Sequence, residues 1–167
     1  MNIYAELGGS CQQIGGACPD GWVVMESERP SPAHLAQSDG QWMLIVSAPT
    51  SIDVDVERER RIDAGVEFQG VMFQSRSTDR ENIAGAAQLG FMAVVAGAQL
   101  GDLRWSNPDQ DFAWIASDNS LVPMDAQTAV SFGKVAAERK QGLIFAARQL
   151  KDMEPIPADY TDDKWWP

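Results

Sequence analysis

Histidine is nearly absent from this chain: His34 is the only one among 167 residues. A Ser–His or Cys–His nucleophile pair therefore has a single candidate base. That base sits in Ser31-Pro32-Ala33-His34-Leu35, with no nucleophile-elbow motif beside it. Cysteine is scarce too. Cys11 and Cys18 share a glycine-rich stretch, and in a cytosolic chain they read as a free pair and not as a disulfide framework. Together with His34 they fall short of the roughly four ligands of a structural zinc, so no metal site is expected. Basic residues are few: 13 Lys and Arg against 24 Asp and Glu leave a formal charge of −11. Such a surface repels phosphate backbones, which argues against a nucleic-acid partner.

Long apolar runs are missing as well. No window approaches the roughly 18 consecutive apolar residues that cross a bilayer, so no membrane insertion is expected. Met1-Asn2-Ile3-Tyr4 lacks the basic start and apolar stretch of a signal peptide, and the chain is expected to be soluble in a reducing cytoplasm. Gly8-Gly9 and Gly15-Gly16 are not followed by the strand and helix that a phosphate loop requires. Asp109/Asp111 and Asp162/Asp163 are explained as solvated turns. The sequence thus offers no catalytic residue and no cofactor site, and it reads as a non-enzyme.

What is present is a core. The chain is 44% hydrophobic, with six Trp and six Phe, richer in apolar residues than a disordered chain of this charge. The stretch Leu103–Asp125 organises it. Phe112-Ala113-Trp114-Ile115-Ala116 and Leu121-Val122-Pro123 are apolar runs separated by Ser117-Asp118-Asn119-Ser120. Asp and Asn tolerate positive φ and bond their own backbone, so the spacing predicts a hairpin. Trp114 and Phe112 then share one strand face, which places Trp114 buried against the helix that follows. Asp125 has the short acceptor side chain of an N-cap, opening a helix to about Met153. The apolar arc of that helix is wider than a surface helix needs: Val130, Gly133, Ala136, Ile144 and Ala147 lie beside Phe132, Val135, Leu143, Ala146 and Leu150. Gly142 inside it suggests a kink. Lys134, Glu138, Arg139 and Lys140 are expected to face water.

Upstream, Ile3–Leu7, Gly21–Met25 and Gln41–Val46 read as three strands of a small antiparallel unit, punctuated by Pro19-Asp20-Gly21 and Ser38-Asp39-Gly40. Pro49-Thr50-Ser51 marks a boundary. Residues 53–65 follow as a short solvated helix whose acids neutralise Arg58, Arg60 and Arg61. Val66–Ser75 alternates on both sides of Gly70, as a hairpin does. Ser77 offers an N-cap for a helix to about Ala96, whose stripe Ile83, Ala86, Ala87, Gly90, Ala93, Val94, Gly97 is small enough for another element to approach closely.

After Met153 come Pro155 and Pro157, which exclude helix. The tail is expected to be extended, ending in Trp165-Trp166-Pro167. Two readings stand open for these aromatics: packing back on the protein's own core, or anchoring to another chain. On the second, Tyr160, Trp165 and Trp166 are the partner-binding residues. The expected fold is α+β: an N-terminal β unit over 1–50, a domain of two hairpins and two main helices over 51–154, and an extended acidic and aromatic tail over 155–167.

A set of residues between about 57 and 151 carries a family resemblance. It comprises Arg61-Ile62-Asp63-Ala64-Gly65, Phe68-x-Gly70-x-x-Phe73-Gln74-Ser75, the Ala/Gly helix, Phe112-x-Trp114-Ile115-Ala116-x-Asp118-Asn119 and Val122-Pro123-Met124-Asp125. With these the chain resembles a phage-associated domain of unknown function found in tail and tail-fibre-associated proteins. Cys18-Pro19-Asp20-Gly21-Trp22, Glu28-Arg29-Pro30 and Asp39-Gly40-x-Trp42 resemble the front of small phage tail-fibre assembly proteins. The resemblance implies a phage tail-fibre assembly factor, a chaperone-like protein that binds a fibre. The alternative is a structural tail-tip or fibre subunit contacting the host surface, and a third reading is a small enzyme acting on cell-surface polymers. The implied partner is a tail-fibre or tail-tip protein, met in the host cytoplasm during assembly or on the virion tail.

Overall fold

Every strand is three or four residues long, so no sheet is wide enough to make a core alone. The strands instead pair as small antiparallel ladders, and three helices supply the rest of the buried surface. The computed structural model, which describes residues 1–45 and 47–167, is α+β. It divides into two units, Met1–Ala48 and Pro49–Pro167.

In the first unit β1 (Ile3–Glu6) pairs with both β2 (Gln12–Ile14) and β3 (Trp22–Met25), and β4 (His34–Ala36) pairs with β5 (Trp42–Leu44). Three strands were expected and, among the described residues, five are found. Gln12–Ile14 and His34–Ala36 are too short to show alternation, and pairing with an apolar neighbour decides their state. The strand expected over 41–46 ends at Leu44, and Val46 lies outside the described residues. The two sheets are sewn together by Gly8 N–H to the Ala36 carbonyl (2.9 Å), Ala36 N–H to the Gly9 carbonyl (3.1 Å) and Glu26 N–H to the Gly40 carbonyl (2.9 Å). Ala5, Met25 and Ala36 form the small buried core.

The second unit opens on α1 (Ser51–Asp63), started by a reciprocal cap: Asp53 N–H donates to Thr50 Oγ1, and Thr50 N–H to Asp53 Oδ2. Hairpin β6–β7 (Val66–Phe68, Val71–Phe73) turns at Gln69 and Gly70, both with positive φ (52° and 78°), as a two-residue turn with the twist of the strands requires. Helix α2 (Ser77–Val95) begins one residue earlier than expected. Its N-cap is Arg76, whose backbone N–H donates to Asp79 Oδ2 (3.0 Å). Hairpin β8–β9 (Ala113–Ile115, Leu121–Pro123) turns at Asn119 (φ 70°), and α3 (Ala126–Lys151) starts at Asp125, which accepts from Thr128 N–H at 2.7 Å.

Helix α3 is the spine. Its N-terminal half crosses α2 at very short range: a Cβ added at Gly90 would stand 2.8 Å from the Ala126 carbonyl oxygen, and one at Gly133 would stand 2.3 Å from Ala87 Cβ. The small stripe of α2 is therefore a packing surface, as its composition predicts. Phe132 meets Phe68, Phe73 and Trp114 at ring separations of 5.4, 4.7 and 5.6 Å. That cluster also takes in Val66, Ile83, Ala116 and Met124. Trp114 faces α3 as expected but is only half-buried.

The C-terminal half of α3 packs on α1 through Val54, Ile62, Leu143, Ala147 and Leu150. The helix runs unbroken through Gly142, whose missing side chain leaves room for Pro167: an added Cβ would lie 3.2 Å from its Cγ. Arg139, expected to face water, is half-buried. It reaches the C-terminal end of α1 and donates to the Gly65 carbonyl (2.8 Å), where a cation offsets the free carbonyls of that helix end.

Candidate functional site

Each sequence-marked group has a definite place. The tail, expected to be extended, folds back on α1 and α3 with a 3-10 turn over Asp163–Trp165. Trp166 is 7% exposed among Val54, Ile62, Leu143, Ala147 and Leu150, with its indole N–H donating to the Tyr160 carbonyl at 2.8 Å. Trp165 and Tyr160 are half-buried at the edge of the same cluster. Two prolines bar helix but not return: the chain turns at Pro157–Tyr160 and again at Asp159–Asp162. Of the two placements open to the tail aromatics, Trp166 takes the seat on the protein's own core.

A charge network holds that seat. Glu57, buried on α1, accepts from Arg60 Nε (2.7 Å) and Arg61 Nε (2.6 Å). Arg61 in turn donates to the Thr161 carbonyl (2.7 Å), pairs with Asp163 (2.9 Å) and lies 5.1 Å over the Trp166 ring. The bond from Arg60, against the opposing push of burial, and then the bond from Arg61 hold the Glu57 carboxyl below its ordinary range. The arginines of α1 are thus engaged by acids of the same helix, as the spacing predicts, and Arg61 also clamps the tail. At the other joint, burial pushes Asp125 up but bonds from Thr128 and Gly101 N–H (2.7 Å each) outweigh it and hold its pKa low.

His34 and Ser31 meet in one turn, Ser31 Oγ to His34 Nδ1 at 2.9 Å. The pair is local, three residues apart, and among the described residues no carboxylate bonds the other ring nitrogen, so the third group that orients a catalytic base is lacking. Cys11 and Cys18 are both exposed and unbridged. Among the described residues no three His, Cys, Asp or Glu side chains gather as a metal cluster, and no helix is long and apolar enough to cross a membrane.

Two features of the second unit were not singled out by the sequence. One is the outer face of α2. Leu89, Phe91, Met92 and Val95 are each between 59 and 73% exposed there, and Leu100 follows at 82%. From Asn82 to Gly101 no residue is charged, in a chain that is 22% charged. That charge-free run is visible in the sequence, but its periodicity marks only the small stripe on the other side. The second feature is a groove of about 530 Å³ between the start of α2 and hairpin β8–β9. It is lined by Gln74, Asp79, Asn82, Phe112, Trp114 and Asn119, among others, residues separated by up to 45 positions and assembled only by the fold.

Comparison with curated proteins and with solved structures gives no match. A family model described as a domain of unknown function (DUF4376) matches residues 48–164, nearly all of the second unit. The chain belongs to that family.

Proposed function

We propose that the protein acts by binding and not by turnover, as an assembly factor that holds a phage tail-fibre chain through the outer face of α2. The observation that carries this is the exposed apolar face itself. A helix that is apolar all round is ordinarily covered on every side, yet the side of α2 opposite Gly90 and Ile83 presents Leu89, Phe91, Met92 and Val95 to solvent. Exposed apolar patches of this kind mark contact surfaces. On a protein of net charge −11 it is a stretch free of carboxylates, where an incoming apolar segment meets no desolvation cost of charge. The resemblance of residues 57–151 to tail-associated phage domains supplies the kind of partner.

The test is co-expression with a phage tail-fibre protein. The expected result is a rise in soluble, assembled fibre with the wild-type protein. Phe91→Ser/Val95→Ser should abolish that rise while leaving the melting curve unchanged, because both side chains are already in water. Equal fibre yield with wild type and variant, or with no added protein, overturns the reading. A concentration-dependent dimer that disperses in the same variant, with fibre yield unaffected, also overturns it and assigns the face to a second copy.

A further inference from the structure

The groove beside α2 is independent of the outer α2 face, and we propose that it is a carbohydrate site, taking a neutral pyranose. Its walls are of two chemistries. Phe112 and Trp114 supply aromatic surface, their ring centroids 6.2 Å apart. Gln74, Asn82 and Asn119 supply amides, and Asp79 the one carboxylate. A sugar ring has the same division: an apolar face of C–H groups and a rim of hydroxyls that each donate and accept. Side-chain amides also donate and accept, and a planar carboxylate accepts from two hydroxyls. The volume is in the range of small-molecule sites, roughly 300–1,000 Å³.

The hydrogen-bond state of the groove points the same way. Trp42, Trp105, Trp165 and Trp166 each give their indole N–H to a protein acceptor. Trp114, half-buried on Phe132, has no such partner among the described residues, a state it shares with Trp22 of the first unit, and its N–H still reaches solvent. Aromatic residues held this way present a fixed apolar body and a polar handle. The Asn82 and Asn119 amides likewise make no side-chain bond within the protein among the described residues. Asp79 is already pinned by Arg76 (3.0 Å), which fixes one wall before any ligand arrives. Arg76, which bonds Gln74 and Asp79, is the cation nearest these walls, and its charge is matched by Asp79. No lysine or arginine is itself among the lining residues, so the groove offers phosphates and acidic sugars no unpaired counter-charge.

The residues come from three places that share no local pattern: Gln74 after β7, Asp79 and Asn82 one helical step apart on α2, and Phe112, Trp114 and Asn119 on the second hairpin. The two hairpins are locked together by Ser117 N–H to the Met72 carbonyl at 2.8 Å. The Phe112 edge is held by Trp105, tilted against it at a centroid separation of 4.7 Å and itself tied to the Met124 carbonyl. The walls are therefore positioned by the core and not by the ligand, as a preorganised site requires.

The experiment uses the full chain labelled with nitrogen-15 and follows the indole N–H resonances, with Trp114 assigned by its loss in Trp114→Phe. The probes are the methyl glycosides of glucose, galactose and mannose, N-acetylglucosamine, N-acetylgalactosamine, and sialic acid. At least one neutral probe should shift the Trp114 resonance saturably, leave those of Trp165 and Trp166 in place, and outcompete sialic acid. Asn82→Ala and Asn119→Gly remove one amide each at exposed positions, and glycine suits the positive φ of residue 119. Each should weaken binding by up to about tenfold, the worth of one hydrogen bond. No shift with any neutral probe, a shift with sialic acid alone, or binding that survives the Asn82→Ala/Asn119→Gly pair overturns the assignment.

Discussion

Gly133 shows how a single missing side chain sets the distance between two helices. In an open helix, Gly→Ala is stabilising by about 1 kcal/mol. Here the new Cβ would stand 2.3 Å from Ala87 Cβ, and overpacking of this kind costs about 1–3 kcal/mol. The clash should win, so Gly133→Ala lowers the stability of the 49–167 unit in a denaturant titration. Moving the methyl across the contact, Ala87→Gly/Gly133→Ala, should recover most of the loss. A single variant as stable as wild type, or a pair no better than the sum of its parts, would show that the helices stand further apart. The aromatic cluster gives a second residue-scale expectation. Phe132 is fully buried and touches three rings, whereas Trp114 keeps one edge in the groove. Phe132→Ala should cost about 3–5 kcal/mol, and Trp114→Ala distinctly less; the reverse order in matched unfolding curves would put the centre of the core on the hairpin and not on α3.

Among the elements, the tail is the one whose state differs most from its sequence pattern. Pro155 and Pro157 say only that helix stops. They carry no information on where the chain goes next, and the seat of Trp166 combines Leu143, Ala147 and Leu150 of α3 with Val54 and Ile62 of α1, the latter two more than a hundred positions away. Deleting residues 159–167 removes that buried indole, worth about 1.5–3 kcal/mol, and should lower the melting temperature by roughly 5–10 °C. An unchanged melt would mean that the tail leaves its seat in solution. Glu57 links the same seat to pH. Its carboxyl is held below the ordinary glutamate value in the folded protein. The charged form is therefore favoured by folding, its stabilisation is present above roughly pH 4.3, and it is lost as pH falls through the lower folded value. Glu57→Gln should melt below wild type at pH 7, and the two curves should converge toward pH 3. A gap that widens on acidification would contradict the ion-pair network. The hairpins and the capped start of α3 were legible because turn residues and caps act over four or five positions: Gly70, Asn119 and Asp125 do what their residue types favour. The extra strands β2 and β4, the half-buried Arg139 and the groove were not, since each is decided by a partner distant in sequence.

At the scale of the whole molecule, binding and catalysis make different demands on the same surface. The histidine and thiol chemistry of this chain is sparse: one histidine, two cysteines and the local Ser31–His34 turn. All of it lies in the Met1–Ala48 unit, outside the residues that match the family. Binding needs none of it. The exposed α2 face and the aromatic groove both belong to the second unit, are built on helices and hairpins fixed by the core, and use apolar contact and hydrogen bonds alone. Replacing the first set should therefore leave the second untouched. His34→Ala, Ser31→Ala and Cys11→Ser/Cys18→Ser variants are each expected to retain full activity in a phage complementation assay, whereas Phe91→Ser/Val95→Ser loses it. Ser31→Ala and His34→Ala break one turn hydrogen bond worth about 1 kcal/mol, too little to unfold a unit whose strands are tied by backbone bonds between its two sheets. Loss of complementation in either, with circular dichroism unchanged, would bring nucleophile chemistry back to the first unit. Loss in the double cysteine variant under the same condition would do so for thiol or metal chemistry.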